Sequence, residues 1–205
     1  RPRTLEECEP HSDSQCLCGS GATFGDCCEG SYDQSDGEKA TGLLRDGRFC
    51  EAIVEARRYL CWYSLCHRAH TVPLVASGDE EAESVLSVDI SAMTEIVRLL
   101  HTCYQKTEII DEFRDALELL RNSITDSRWH DRIQMLIAQW WQHDKKSQSE
   151  ARNALAQVDI DNCHDEEVLT CYLSAFGSSL PLQLQIDLSA RICGLTDDPS
   201  IRLNY

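Results

Sequence analysis

The sequence predicts an all-α protein, an irregular helical superhelix or bundle carrying a small N-terminal cysteine knuckle, on three observations. Beyond Gly37, apolar residues recur at i, i+3 and i+4, and strand-like alternation is almost absent. About eight such periodic segments follow one another with short connections, the pattern of helices packed on helices. Four of the 12 cysteines crowd into the single stretch CLCGSGATFGDCC at residues 16–28, which looks like nothing else in the chain. The chain of 205 residues therefore divides into a knuckle with its tail over 1–30, a linker over 31–37 and a helical region over 38–205.

In an extended C-x-C pair the two side chains point the same way, because the strand period is two, so Cys16 and Cys18 can reach one ion from one side. Gly19 and Gly21 supply backbone free enough for a tight turn, and the chain returns with the adjacent pair Cys27 and Cys28. Four thiolates suit Zn2+ in a closed tetrahedron, which leaves no position for an activated water and makes the site structural. The competing readings are two disulfides or four unrelated thiols, and a pairing of Cys27 with Cys28 would demand a strained bond. His11, five residues before Cys16, is a weaker substitute ligand.

The spacing C-x-C-x8-C-C, with Gly19, Ser20 and Gly21 after the second cysteine and Phe24 at the aromatic position, resembles the SEC-C motif family. That resemblance implies zinc binding by Cys16, Cys18, Cys27 and Cys28, and it covers residues 16–28 alone. Leu17 stands where the family usually has proline, and Ala22, Thr23, Gly25 and Asp26 stand where lysines flank the aromatic. The family's docking onto an acidic partner thereby loses its electrostatic basis here.

The polar stretch EGSYDQSDG at residues 29–37 reads as a connection. In LLRDGRFCEAIVEARRYL, the residues Leu44, Gly47, Phe49, Ala52, Ile53, Ala56 and Leu60 fall where two antiparallel helices meet across a glycine turn. This resembles one tetratricopeptide repeat, which implies stacked helix pairs. A 34-residue period does not recur, so the region is tetratricopeptide-like and not a regular array. Further helices are expected over 80–104 (Val85, Leu86, Val88, Met93, Ile96, Val97, Leu100), 109–120 (Ile110, Phe113, Leu117, Leu120) and 129–141 (Ile133, Leu136, Ile137, Trp140). Shorter ones follow over 147–158, 165–176 and 181–193, with Asp165 at a helix start and Gly194 as a stop.

Two other stretches carry candidate chemistry. Cys61, Cys66, His67 and His70 form a possible second ligand cluster, but on one helix only Cys66 and His70 share a face, so core thiols with solvated histidines are the expected reading. Cys163-His164-Asp165 holds a thiol beside a base in sequence, yet a working pair must meet in space, and Asp165 fits a helix cap better. No catalytic constellation emerges, and the expectation is a non-enzyme. Trp140 and Trp141 diverge by about 100° on a helix, which makes one of them a candidate partner anchor.

Thirty-five acidic against 19 basic residues give a net charge of -16. A field of that sign opposes nucleic acid and anionic membranes and favours a basic protein partner. No apolar run reaches the ~20 residues that span a bilayer. Scattered thiols in helical patterns suit a reducing, cytoplasmic setting. The expected function is a zinc-containing interaction or adaptor module holding a basic segment of another protein on a helical scaffold. The alternative is an acidic inhibitor, of the immunity or antitoxin type, or a nucleic-acid mimic. Nucleic-acid binding by the knuckle ranks below both.

Overall fold

A computed structural model describes residues 4–77, 80–109, 112, 113, 116, 117, 121, 127–142 and 148–195, with side chains except over 70–90 and at 127, 128, 142 and 148. The chain is all-α: among the described residues there is no strand, only one antiparallel bridge between Gln15 and Thr23. The helices are α1 (Leu5–Cys8), α2 (Phe24–Cys27), α3 (Asp36–Arg45), α4 (Phe49–Ser77), α5 (Glu80–Thr107), α6 (Ser127–Gln142), α7 (Gln148–Leu155), α8 (Glu166–Phe176) and α9 (Leu182–Leu195). They fall into two compact units, Arg1–Ile124 and Thr125–Tyr205.

In the first unit, α3 and α4 form the expected hairpin. Gly47 turns it with φ 74°, a left-handed conformation that a side chain resists. The two helices approach closely because Ala40 on α3 and Ala52 and Ala56 on α4 are small and fully buried. A Cβ on Gly37 would lie 2.9 Å from the Tyr59 ring, so that ring lies flush on the start of α3. The expected connection over 29–37 is thus packed at both ends: Asp36 and Gly37 are buried in α3, and the Tyr32 ring lies 6.4 Å from that of Phe24.

α4 is the central helix, packed by α1, α3 and α5. A helix covered on several sides is apolar nearly all round, and α4 buries Ile53, Leu60, Cys61, Tyr63, Leu65 and Ala69. This is why CWYSLCH at its middle is core. His67 is 5% exposed, which corrects the expectation of a solvated histidine there. Residues 80–107 form one helix, α5, whose Met93, Val97, Leu100, Cys103 and Tyr104 are buried with Phe113, Ala116 and Leu117. Arg57 donates to the Tyr104 hydroxyl and to Glu112 at 3.2 Å, and Arg58 pairs with Glu55. Ile110, Leu120 and the side chains of Val85, Leu86 and Val88 lie outside the described residues.

In the second unit α6 buries Trp129, Ile133, Met135, Leu136, Ile137 and Ala138 against α7 and α8. Asp165 caps α8 as expected, accepting from the backbone N–H groups of Glu167 at 3.0 Å and Val168 at 3.2 Å. Gly194 does not stop α9. It sits inside the last turn, one residue before Leu195, since a glycine so near a helix end costs little.

Candidate metal centre

The knuckle starts from a short antiparallel pairing. Cys16 N–H donates to Ala22 O at 2.9 Å and Phe24 N–H to Ser14 O at 2.7 Å, which brings the start and finish of the glycine turn together. Gly19 adopts φ 77° inside that turn, and a Cβ there would come within 2.7 Å of the Ala116 backbone. Only a bare backbone fits between the turn and that segment. Thr23 then caps α2, its hydroxyl accepting from Asp26 N–H at 3.2 Å, and the one-turn helix returns Cys27 and Cys28 toward the first pair.

The four sulfurs of Cys16, Cys18, Cys27 and Cys28 all lie within 4.8 Å of one another. Cys18 and Cys27 are 3.4 Å apart and Cys27 and Cys28 3.7 Å apart. A zinc ion with four sulfurs at ~2.3 Å has tetrahedral edges of about 3.8 Å, so these separations fit one ion at the centre. They are far longer than a disulfide bond of ~2.05 Å, and all 12 cysteines are free thiols. Cys16, Cys18 and Cys28 are buried, and Cys27 is half-buried. Four cysteines that can hold a metal ion therefore stand where the spacing placed them. His11 is exposed and outside the set.

The protonation of the set follows from its crowding. Hydrogen bonds from Cys18, Cys28 and Cys61 draw the Cys16 thiol far below its ordinary range. Cys18 is pushed up to about 12, chiefly through its bond to Cys16, and Cys28 is pushed up strongly by Cys16 and then Cys18. Four thiolates so close repel one another unless a cation neutralises them, which makes deprotonation and metal capture a single event. The Ser20 oxygen accepts from Ala22 N–H at 3.2 Å and lies 3.1 Å from the Cys27 sulfur, within hydrogen-bond distance of it.

The site is part of an apolar cluster. Leu17, Phe24, Leu65 and Ala69 are buried with the ligands, and so are Cys8 and Cys61. From sequence Cys61 belongs to the possible second ligand cluster and is expected to be a core thiol, with no link to the knuckle. Its phase with Leu65 and Ala69 marks the face of α4 that meets the knuckle, but nothing local in the sequence ties it to cysteines so far upstream. Cys66 is half-buried, the His70 side chain lies outside the described residues, and among the described residues Cys66 and His67 join no metal-capable group.

The other candidates are placed as follows. Burial pushes the Cys163 thiol up to about 11, the opposite of an activated nucleophile, and His164 is exposed. Trp140 and Trp141 are both half-buried on α6 and meet edge to face with ring centroids 4.1 Å apart. Among the described residues no helix is long and apolar enough to cross a membrane. No protein-family model, no curated protein and no solved structure matches the chain.

Proposed function

We propose that residues 16–28 form a structural zinc site of the SEC-C type and that the chain is a protein–protein interaction module built on a tetratricopeptide-like helical scaffold. One observation carries the zinc reading: four thiols lie mutually within 4.8 Å, close to the edge of a zinc–sulfur tetrahedron. Cys16, Cys18, Cys27 and Cys28 are the ligands and fill the tetrahedron. The ion then braces the turn and offers no site for substrate or activated water.

The interaction reading rests on charge and on exposed apolar surface. A net charge of -16 favours a basic segment as partner. Trp140 and Trp141 supply the candidate anchor. Leu182 and Ile186, 71% and 52% exposed one turn apart on α9, add apolar area of the kind that a partner covers.

Elemental analysis of the purified chain tests the metal, with one zinc per chain expected and its absence overturning the site. Pull-down of the partner followed by titration at low and high salt tests the rest. Affinity should fall as salt rises, and salt-independent binding would remove the electrostatic part.

A further inference from the structure

The four cysteines of the knuckle are not equally open to solvent. Cys16, Cys18 and Cys28 belong to the buried apolar cluster, with exposures of 1%, 0% and 1%. Cys27 is half-buried at the edge of that cluster. Oxidation of a thiol follows its access to the oxidant, so a small oxidant arriving from water meets the Cys27 sulfur first. Two sulfurs then stand within reach of it, Cys18 at 3.4 Å and Cys28 at 3.7 Å. Cys28 is the next residue along the chain, and a disulfide between adjacent residues is strained. Cys18 lies nine residues away, and its sulfur has only to close from 3.4 Å to the ~2.05 Å of a disulfide bond.

We propose that Cys27 is a site of reversible oxidation by hydrogen peroxide and that Cys18 is its resolving thiol. In the first step the Cys27 sulfur attacks one peroxide oxygen, the O–O bond breaks, and Cys27 becomes a sulfenic acid as one water leaves. In the second the Cys18 sulfur attacks the Cys27 sulfur, an S–S bond forms, and the S–O bond breaks. The hydroxyl group departs with the Cys18 proton as a second water. Two thiols and one peroxide thus give one disulfide and two waters, the sulfurs losing the two electrons that the peroxide gains. The pairing stands on the positions of the sulfurs alone. Its consequence for the metal rests on the zinc reading above: once Cys18 and Cys27 are joined, only Cys16 and Cys28 remain of the four ligands, and the tetrahedron is no longer closed.

The test needs no variant. The full wild-type chain, loaded with zinc, is treated with hydrogen peroxide while a chromophoric chelator records the zinc released. Free thiols are then blocked and the disulfides assigned by peptide mass spectrometry. Cys50 is exposed, so total thiol loss does not read the site and assignment by peptide does. The expected product is a Cys18–Cys27 disulfide, with one zinc released for each disulfide formed and zinc binding regained after reduction with dithiothreitol. Dimedone added with the peroxide should trap the sulfenic acid on Cys27, and the disulfide yield should fall accordingly. The proposal is overturned if Cys50 is oxidised while all four knuckle thiols stay reduced. It is overturned equally if the first disulfide joins any other pair, or if dimedone labels Cys16, Cys18 or Cys28 in place of Cys27. A chain that holds no zinc yet forms the Cys18–Cys27 disulfide defeats the zinc reading and keeps the oxidation site. A zinc-loaded chain whose knuckle resists peroxide does the reverse, and the two failures are thereby distinguished.

Discussion

The two units pin their irregular segments by opposite chemistries. In the first, a turn with little regular structure is gathered by soft sulfur: Cys16, Cys18, Cys27 and Cys28, backed by Cys61 of α4. In the second, the loop from 156 to 165 is gathered by hard charge. Asp131 of α6 accepts from Asp159 N–H at 3.1 Å, and Arg191 of α9 donates to the carbonyls of Ile160, at 2.8 Å, and Cys163. Arg132 pairs with Asp165 at 2.6 Å and with Glu167, bracing the cap of α8. A loop that cannot satisfy its backbone in a helix needs side-chain or metal partners. The first unit concentrates them at one point, and the second distributes them over several polar contacts.

That contrast can be broken most forcefully at the sulfur. Replacing Cys28 with Ser, or stripping metal with a chelator, should cost the first unit about 4 kcal/mol or more, the scale expected when a structural metal is lost. Amide hydrogen exchange should rise over residues 5–77 far more than over 127–195. An equal rise in both would end the idea that the metal serves the first unit.

Smaller effects are expected where contacts are shared. Arg132→Ala should destabilise the second unit by ~1–2 kcal/mol. The pairs are partly solvated, with side-chain exposures of 13% for Arg132, 20% for Asp165 and 39% for Glu167. Thermal unfolding of the variant at low and high salt checks this, and a loss matching that of Cys28→Ser would contradict a distributed brace.

The smallest effect has a sign set by burial. Burial pushes the Asp131 carboxyl above its ordinary value, against the opposing pull of the Asp159 N–H. Protonation therefore favours the folded state. That benefit is complete below the unfolded value of about 3.9 and is lost as pH rises through the folded value. Asp131→Asn keeps an oxygen for Asp159 N–H without the buried charge. At pH 7 it should be at least as stable as wild type, with the advantage shrinking as pH falls toward about 4 and gone below it. Denaturant midpoints across that range measure it, and a variant clearly weaker at pH 7 would show that the charge itself is needed.

The parts of this molecule that could be read from sequence are those set by local rules. The hairpin turn at Gly47, the cap at Asp165 and the four-thiol spacing each need only neighbours a few residues away, and each stands in the structure as expected. What escaped depends on contacts between distant segments. The approach of Gly19 to Ala116, the position of Cys61 against the ligands and the burial of His67 are all decided by which helices cover α4. α4 is apolar on several faces, so its periodicity gave no single direction for its packing. The Trp pair was legible only as a choice between core and surface, and both rings lie half-buried between those limits.

The spread of the sulfurs along the chain has a consequence for biosynthesis. All four candidate ligands lie within residues 16–28, whereas α4, which packs on the same cluster, carries Cys61. A nascent polypeptide leaving the ribosome amino end first exposes residues 16–28 before α4 has emerged. Closing so short a loop demands little entropy. An ion captured at that stage would give the later helix a ready-made surface on which to settle.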